Sequence, residues 1–281
     1  MNKILKAINN ELNVSITIIE FTEGLQNIIE TQKMNLISST IFGKFFLNSI
    51  LINSFNKEEK IDINIQSKTN GSIKEILVNI YDLNKVRGYL REDNTDLKNI
   101  KTSVDLFNKT FGNKGELNVF KIKEGNIISN SSIKIDSSNI DKIFMNYLKT
   151  SEQVNGILTT CIDIDDSGKL ECASGILIHM LPGFSQRDIE YIEEKIGTLE
   201  NLNKVLGKTK NYNYLVEDIA PNSKILKVDE SFKIQCKCSE EKAKRTINLL
   251  SDEEISDIKK EKNEIEIICE FCKKSYIVNL V

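Results

Sequence analysis

The chain has 281 residues, of which 40% are hydrophobic and 28% are charged, and its net charge is −3. That length suits one large domain with a smaller appendage, and the hydrophobic share is enough for a sizeable core. The slight acidic excess argues against a partner bound through a chain-wide positive field, so no nucleic-acid partner is predicted.

The start of the chain and its most apolar stretch predict a cytoplasmic protein. Residues 1–20 lack the apolar region and the small-residue cleavage site of a signal peptide. Residues 35–55 contain Lys44 and Asn48 and repeat their apolar side chains at helical spacing. This stretch predicts an amphipathic or fully buried helix of a soluble domain and no membrane association. In the cytoplasm thiols stay reduced, so a structural disulfide framework is not expected.

The first half of the chain predicts alternating strands and helices, followed by a meander. A strand is predicted at residues 12–22, and helices are predicted at residues 24–33, 38–55 and 138–151. Residues 61–80 alternate on both sides of Asn70-Gly71, which is the strongest short signal for a hairpin. Further strands are predicted to end at turns near residues 82–85, 113–115 and 124–126. The pattern predicts an α+β fold, a mixed core domain with an antiparallel meander.

A second hairpin is predicted at residues 156–181, with the turn Asp-Asp-Ser-Gly at 165–168. A loop of two or four residues there would place Cys161 directly opposite Cys172. Opposed side chains have Cβ atoms about 4.5–5.5 Å apart, which usually exceeds disulfide distance. A reduced cross-strand pair is therefore predicted, with an oxidation-linked bond as the minor alternative.

A helix is predicted from Ser185 to Gly207, with Ser185 as its N-cap and Gly207 as its stop. Residues 208–230 are polar and are predicted to be a connector. The sequence Leu-Gly-Lys-Thr at 206–209 is similar to the end of a phosphate-binding loop, but Leu202 stands where that motif needs a glycine. No nucleotide site is predicted.

The single histidine, His179, lies in an apolar predicted strand, and no cysteine or serine stands at a recognisable motif spacing from it. It is predicted to be a packing residue, and no catalytic residue is predicted elsewhere.

Four of the six cysteines form two close pairs near the C-terminus, Cys236-x-Cys238 and Cys269-x-x-Cys272, with thirty residues between the pairs. Each short spacing lets two sulfurs converge on one ion, and four such ligands make a tetrahedral structural zinc site with Zn–S distances of about 2.3 Å. Four unrelated buried cysteines would not explain why both pairs fall inside the last 46 residues. The spacing predicts one Zn²⁺ per chain.

The sequence around these cysteines predicts a separate small unit. Strands are predicted at residues 232–236, 264–268 and 275–281. Ser239 begins a predicted helix, and Ser251 with Glu254 forms a capping box for a second one. Large apolar residues are few, so zinc, worth on the order of 10 kcal/mol in zinc-finger peptides, would supply much of the folding free energy.

Two roles are open for such a zinc unit. Between Cys236 and Lys274 there are nine basic and ten acidic residues, which fits a solvated surface better than a track for phosphates. The thiol chemistry indicates an oxidant sensor, because oxidation of one zinc-bound thiolate invites attack by its neighbour, forming a disulfide and expelling the metal. The local pairs would be Cys236–Cys238 and Cys269–Cys272, and such short rings would not replace the folding free energy of zinc.

These cysteines, with CEFC at 269–272 and the Ser-Glu-Glu-Lys stretch at 239–242, resemble the C-terminal zinc switch of the heat shock protein 33 family, the redox-regulated 33 kDa chaperonins. Further matching segments are VRGYL at 86–90, SEQV at 151–154 and ASGILIHMLPG at 173–183. The resemblance covers nearly the whole chain.

The resemblance implies an ATP-independent holdase that is inactive when reduced and zinc-bound. Oxidants, often with heat, would activate it by disulfide formation and zinc release, and active forms in the family can dimerise. It further implies a client-binding core at residues 1–183, a helical linker at 184–230 and a zinc-binding redox switch at 231–281. The implied metal ligands and redox-active thiols are Cys236, Cys238, Cys269 and Cys272.

The resemblance thus implies a chaperone that protects unfolding client proteins from aggregation under oxidative stress, and not an enzyme. Two alternatives stay open. One is a zinc-thiolate oxidoreductase that cycles Cys269 and Cys272, which turnover of a dithiol substrate would favour. The other is a zinc-ribbon adaptor, which salt-sensitive binding to DNA or RNA would favour.

Overall fold

The computed structural model describes residues 2–55, 61–82, 84–93, 100–247, 249–261 and 263–279. The chain folds as two compact units, Met1–Ile234 and Gln235–Val281. Residues 184–230 belong to the first of these units.

The first unit mixes strands and helices throughout. In chain order its elements are β1 (Lys3–Asn9), β2 (Val14–Glu20), α1 (Thr22–Gln32), α2 (Leu36–Asn53), β3 (Ile61–Thr69), β4 (Ile73–Tyr81), β5 (Lys85–Glu92), α3 (Ser103–Thr110), β6 (Gly115–Lys123), β7 (Asn126–Ile135), α4 (Ile140–Ser151), β8 (Gly156–Ile164), β9 (Leu170–Met180), α5 (Gln186–Ile196), α6 (Leu199–Lys208), α7 (Tyr212–Ile219), β10 (Lys224–Asp229) and β11 (Lys233–Ile234). The predicted α+β class is confirmed, and the predicted helices at 24–33, 38–55 and 138–151 correspond to α1, α2 and α4. Strand β1 and helix α3 have no counterpart among the predicted elements.

The first sheet separates two hydrophobic clusters. Its described strands run antiparallel in the order β10-β1-β2-β9-β8. Because successive side chains of a strand point to opposite faces, Ile18 on β2 packs into one cluster and Ile19 packs into the other. The face that carries Ile19 packs against α1 and α2, and the face that carries Ile18 packs against α5, α6 and α7. Both faces of the central strands are therefore covered, which explains their long runs of Ile and Val.

Helix α2 is the centre of the main core. Its N-cap Asn35 accepts a hydrogen bond from the backbone N–H of Ser38 at 2.9 Å. Phe42, Phe45 and Phe46 are at most 1% exposed, and the helix contacts β2, β8 and β9 of the first sheet and β4 and β5 of the second. Its length and composition would allow a membrane span, but 78% of it is buried inside the fold. The prediction of a buried core helix is confirmed.

The second sheet contains the predicted meander. Its described strands have the order β11-β5-β4-β3-β6-β7, antiparallel except for the pair β11–β5. The predicted hairpin turn at Asn70-Gly71 joins β3 to β4, and Oδ1 of Asn70 accepts hydrogen bonds from the backbone N–H groups of Asn113 and Lys114 at 3.1 and 3.0 Å. A Cβ at Gly71 would collide with the backbone of Thr110, so only glycine fits there. The predicted turn near 82–85 includes residue 83, which lies outside the described residues.

The last residues of the first unit are anchored in its core. The Phe232 side chain is 5% exposed, and its ring meets the ring of Phe21 edge to face with centroids 6.0 Å apart. The backbone N–H of Lys233 donates to the carbonyl of Asn84 at 2.8 Å. The strand predicted at 232–236 is only the two residues of β11, which pair in parallel with the first two residues of β5.

The prediction of one continuous helix from Ser185 to Gly207 is wrong, because two helices, α5 and α6, occupy that stretch. Gly197 ends α5 with φ +65°, and the Thr198 side chain caps α6 by accepting from the backbone N–H of Asn201 at 3.1 Å. Ser185 is the predicted N-cap and forms a capping box with the next turn. Gly207 is not a stop, because α6 continues to Lys208.

The segment predicted as a connector, residues 208–230, contains α7 and β10. Asn211 caps α7, and the apolar face of that helix is buried against the first sheet. Strand β10 pairs with β1 at the edge of the same sheet. The apolar residues of α7 recur at helical spacing, at Tyr212, Leu215, Val216 and Ile219, and they outweigh the polar composition of the segment.

The register of hairpin β8–β9 differs from the predicted one. The loop has three residues, 166–168, and a β-bulge follows it, so Cys161 faces Ser174 and Cys172 faces Asp163. A loop with an odd number of residues shifts the register of the two strands by one position, and the bulge shifts it by one more. The prediction that Cys161 and Cys172 oppose each other directly is therefore wrong. Both are free, buried thiols on the same face, one diagonal step apart.

The second unit contains helices α8 (Glu240–Ile247) and α9 (Asp252–Glu261) and the antiparallel strands β12 (Glu264–Ile268) and β13 (Ser275–Asn279). The predicted capping box is confirmed, since the backbone N–H of Ser251 donates to Oε2 of Glu254 at 2.8 Å and that of Glu254 donates to Oγ of Ser251 at 3.3 Å. The predicted strand at 264–268 is β12. Residues 280–281 of the other predicted strand lie outside the described residues.

Candidate metal centre

The second unit brings together the sulfurs of Cys236, Cys238, Cys269 and Cys272, and all four lie within 4.8 Å of one another. The Sγ atoms of Cys236 and Cys269 are 3.6 Å apart, and those of Cys238 and Cys272 are 3.4 Å apart. Four sulfurs placed tetrahedrally about 2.3 Å from a zinc ion lie about 3.8 Å from one another. These separations match a shared metal ion, and they exceed the disulfide length of about 2.05 Å.

The turn between β12 and β13 positions the C-terminal pair. Cys269 follows the last residue of β12, and its backbone N–H donates to the carbonyl of Lys274 at 2.9 Å. Its own carbonyl accepts from the backbone N–H of Lys273 at 2.8 Å, and Lys273 has φ +55°. This tight turn returns Cys272 to the same side as Cys269, so the hairpin fixes half of the ligand set.

The start of α8 positions the N-terminal pair. The carbonyl of Ser239 accepts from the backbone N–H of Ala243 at 3.0 Å, so the helix begins directly after Cys238. The Lys242 side chain reaches back and donates to the carbonyl of Lys237, between the two cysteines, at 2.6 Å. The loop is thereby held against the first helical turn, and both sulfurs project toward the hairpin thiols.

Tyr276 is a site residue that sequence reasoning missed. Its hydroxyl donates a hydrogen bond to Sγ of Cys238 at 3.1 Å, from the inward side of β13. The ammonium of Lys274 lies over the tyrosine ring, 5.1 Å from its centroid. The available signal was an aromatic residue in a strand pattern four residues after Cys272, preceded by Ser275 and followed by the apolar Ile277.

The electrostatics of the four thiols favour a cation among them. Burial acts to raise the pKa of Cys238, but hydrogen bonds from Tyr276 and from the other thiols outweigh it and lower the pKa to about 7. Burial raises the pKa of Cys236, and burial with the neighbouring thiols raises the pKa of Cys272 to about 12. One thiolate thus forms readily and disfavours a second. A bound cation would let all four be anionic, so this donor set fits a soft divalent metal ion.

The remaining candidate residues lie in the first unit and are not part of this centre. Cys161 and Cys172 are buried in the cluster beneath α5–α7. The His179 ring packs edge-on against Phe55 with centroids 5.2 Å apart, and burial lowers its pKa, as expected for a packing residue.

Comparison with known proteins gives consistent matches along the whole chain. The family described as Hsp33 protein matches residues 2–279. A 33 kDa chaperonin of Prochlorococcus marinus (strain AS9601) is 26% identical over 99% of this chain and 95% of its own length. One from Streptococcus thermophilus (strain CNRZ 1066) is 24% identical over 98% of this chain and 96% of its own length.

The fold also has a solved counterpart. The crystal structure of a 33 kDa chaperonin (heat shock protein 33 homolog) from Thermotoga maritima aligns with a TM-score of 0.82 at 20% identity, covering 99% of this chain and 95% of that chain. Since the family match spans both the α+β unit and the four-cysteine unit, the chain belongs to the Hsp33 family.

Proposed function

We propose that this protein is a redox-regulated, ATP-independent holdase of the cytoplasm that protects unfolding proteins from aggregation during oxidative stress. In the reduced state Cys236, Cys238, Cys269 and Cys272 would bind one Zn²⁺ per chain, and the protein would be inactive. The observation that carries the proposal is the convergence of four thiols in a unit that has little core of its own.

The weak core of the second unit supports the coupling between metal and fold. Among the residues of this unit that the structure describes, the buried hydrophobic cluster consists of Ala243, Ile247 and Val278, with further side chains half-buried around it. Ile268 and Ile277 are 55% and 63% exposed. A structural zinc contributes on the order of 10 kcal/mol in small zinc domains, which is more than the roughly 5 kcal/mol from burying these three side chains. Removal of the metal would therefore unfold the unit.

The thiol chemistry supports oxidants as the trigger. All four cysteines are half-buried, so a small oxidant can reach them. Oxidation of Cys236 with Cys238, and of Cys269 with Cys272, would remove two electrons from each pair of thiolates and form one S–S bond per pair. The O–O bond of one hydroperoxide breaks for each disulfide, and its two oxygens take up two protons from water to leave as two waters, or as water and an alcohol. The anionic ligands are lost, and each short ring constrains the unfolded chain too little to replace the metal.

The structure of the first unit supports residues 184–230 as the linker and the covered sheet as a client surface. Helices α5, α6 and α7 cover one face of the first sheet. The side chains of that face include Leu5, Val14, Ile16, Ile18, Ile176 and Ile178. Displacement of the helices would expose this apolar face, together with their own buried residues. A contiguous apolar surface of that kind binds unfolded chains without sequence specificity.

The test follows zinc with a chromogenic chelator while light scattering reports aggregation of an unfolding client protein at elevated temperature. Peroxide is expected to release one zinc per chain as scattering is suppressed, and reductant with zinc is expected to reverse both. We further propose that the oxidised protein forms a homodimer, as the family resemblance implies, and size-exclusion chromatography tests this.

The variant Cys272→Ser gives the sharpest control, because it removes one ligand and one redox pair at once. We expect it to bind zinc weakly and to need less oxidant for activity. If peroxide releases zinc and the client still aggregates, the proposal is wrong. Turnover of a dithiol substrate would then favour an oxidoreductase, and salt-sensitive binding of DNA or RNA would favour an adaptor.

A further inference from the structure

A second pair of thiols lies inside the first unit. Cys161 on β8 and Cys172 on β9 are 8% and 6% exposed and project from the same face of the sheet. Both lie in the same buried cluster, one diagonal step apart across the two strands. Sγ of Cys172 lies 3.4 Å from Oγ of Ser174, whose hydroxyl is 2.7 Å from the hydroxyl of Tyr212 on α7. Cys172 is thus part of a polar chain beneath the helical layer.

A cavity of about 450 Å³ reaches Cys172. Cys172, Ser174, Gly207 and Tyr212 line it, together with the exposed side chains of Glu171 and Lys210. Because exposed residues form part of the wall, the cavity communicates with solvent. A hydroperoxide is small enough to enter it and reach Sγ of Cys172.

The two thiols have different proton affinities. The neighbouring Cys161 thiol lowers the pKa of Cys172 to about 7, against the effect of burial and with a further contribution from Ser174. The neighbouring Cys172 thiol, with burial, raises the pKa of Cys161. The geometry and the charge distribution together make Cys172 the nucleophile and Cys161 the thiol that follows it.

We propose that Cys172 and Cys161 form a second peroxide-sensitive thiol pair, separate from the four-cysteine centre, that closes to a disulfide. The Cys172 thiolate attacks the peroxide oxygen, the O–O bond breaks, and Cys172 becomes a sulfenic acid while hydroxide or alkoxide leaves and takes up a proton. Sγ of Cys161 then attacks the sulfenic sulfur, its proton and the hydroxyl leave as water, and the S–S bond forms. The pair loses two electrons, and the peroxide gains them.

The contact between Cys161 and α6 links this reaction to the helical layer. A Cβ placed on Gly207 would lie 2.8 Å from Sγ of Cys161, so the helix backbone rests directly on the sulfur. Diagonal positions of paired strands are usually about 7–8 Å apart, whereas a disulfide needs sulfurs about 2.05 Å apart. Disulfide closure must draw Cys161 toward Cys172 and out of its contact with α6. Oxidation would therefore loosen the layer that we propose as the linker.

The experiment uses the full chain, zinc-loaded and reduced, treated with hydrogen peroxide with and without dimedone, and mapped by peptide mass spectrometry. In the wild type we expect a reducible 161–172 cross-link with a mass loss of two hydrogens. In Cys161→Ala we expect a dimedone adduct on Cys172, because the sulfenic acid has no partner. In Cys172→Ala we expect Cys161 to stay unmodified.

The two cysteine sets are read separately in the same map. If Cys236, Cys238, Cys269 and Cys272 become oxidised while Cys161 and Cys172 stay reduced in the wild type, this inference is overturned and the proposed function stands. If only the 161–172 cross-link forms, the proposed function fails and this inference stands. Circular dichroism checks that each variant is folded, and the wild-type map decides alone if one is not.

Discussion

The hydroxyl of Tyr276 donates a hydrogen bond to Sγ of Cys238, and the oxygen and sulfur atoms are 3.1 Å apart. The tyrosine lies on β13, whereas Cys238 lies on the loop before α8, so the bond joins the two halves of the four-cysteine centre. A hydrogen bond to a metal-bound sulfur orients the ligand and draws electron density away from it. Tyr276 is therefore placed to set both how tightly the centre holds a metal ion and how fast Cys238 reacts with an oxidant.

Tyr276→Phe tests that role by removing only the hydroxyl. We expect zinc affinity to fall by about tenfold, the lower end of the range for lost ligand-supporting hydrogen bonds, and peroxide-driven zinc release to become faster. Competition with a chelator measures the affinity, and stopped-flow absorbance measures the rate. Tyr214→Phe is the control, because Tyr214 is 75% exposed on α7. Equal zinc affinity in all three proteins would show that the hydroxyl has no such role.

Because Gly207 contacts Cys161, we expect Gly207→Ala to lower the free energy of unfolding of the wild type but to raise that of the Cys161→Ala variant. In the wild type, Gly207→Ala places a methyl group 2.8 Å from the sulfur, and overpacking of this kind destabilises by about 1–3 kcal/mol. In the Cys161→Ala background the obstacle is gone, and the same change should stabilise α6 by up to about 1 kcal/mol through helix propensity. Urea unfolding of the full chain measures all four proteins. A destabilisation of the same size in both backgrounds would contradict the close packing of α6 on Cys161.

Asn203 on α6 donates hydrogen bonds to β8, and one of its acceptors is a carbonyl that also accepts from a half-buried lysine. Its side-chain amide donates to the carbonyl of Thr160 at 2.6 Å and to Oγ1 of Thr159 at 3.2 Å, and Nζ of Lys44 donates to the same Thr160 carbonyl at 2.6 Å. Asn203→Ala should lower the free energy of unfolding by about 1–2 kcal/mol and raise hydrogen exchange in α6. If α6 belongs to a releasable linker, this variant should also suppress aggregation at a lower peroxide dose.

Asn201→Ala is the matched variant, because Asn201 is exposed on the same helix. We expect its stability to stay within about 0.5 kcal/mol of the wild type and its peroxide response to be unchanged. If hydrogen exchange in α6 becomes faster in Asn203→Ala but the peroxide dose that suppresses aggregation does not change, weaker docking of α6 does not promote activation.

Glu152 predicts a pH-dependent contribution to stability. It accepts hydrogen bonds from the hydroxyl of Tyr147 at 2.6 Å and from Nζ of Lys121 at 2.9 Å. Burial acts to raise its pKa, but these two donors outweigh burial and lower it below the ordinary value. The unfolded state therefore takes up a proton first as pH falls, so the stabilisation is present above the unfolded pKa and is lost as pH falls through the folded one.

The variant Glu152→Gln should be less stable than the wild type by about 1–3 kcal/mol at pH 7, and the difference should shrink in acid. Urea unfolding at a series of pH values measures it. Glu194→Gln, at an exposed position of α5, should show no such trend. A difference that stays constant with pH would assign the effect to packing and not to charge.

Local signals predicted much of the fold because the residues that fix each element are near one another in sequence. The Asn70-Gly71 turn, the Ser251–Glu254 capping box and the two cysteine spacings each depend on a few adjacent residues, and the structure contains all of them. The break at Gly197-Thr198 also has a local signal, a glycine followed by a capping threonine. The apolar pattern that continues through both helices hides this signal and favours one long helix.

Features that depend on distant residues could not be predicted in this way. The register of β8 and β9 follows from a bulge, which leaves no signature in the alternation of side chains. The approach of Gly207 to Cys161 needs the helix docked on the sheet, and the role of Tyr276 needs both halves of the centre in place. Each becomes visible only once tertiary contacts are known.

The anchoring of Phe232 has a topological consequence for the released state. Phe232 and β11 lie between the four-cysteine unit and residues 184–230 in the chain. If the contact of Phe232 with Phe21 and the pairing of β11 with β5 persist, unfolding of the four-cysteine unit does not extend directly along the chain into residues 184–230. If those residues detach while the anchor holds, they form a loop tethered at both ends and not a free tail. A tethered loop has less entropy to lose on re-docking, and its reach is bounded. The fold would thus limit how far a captured client can be drawn from the sheet and keep the return path short.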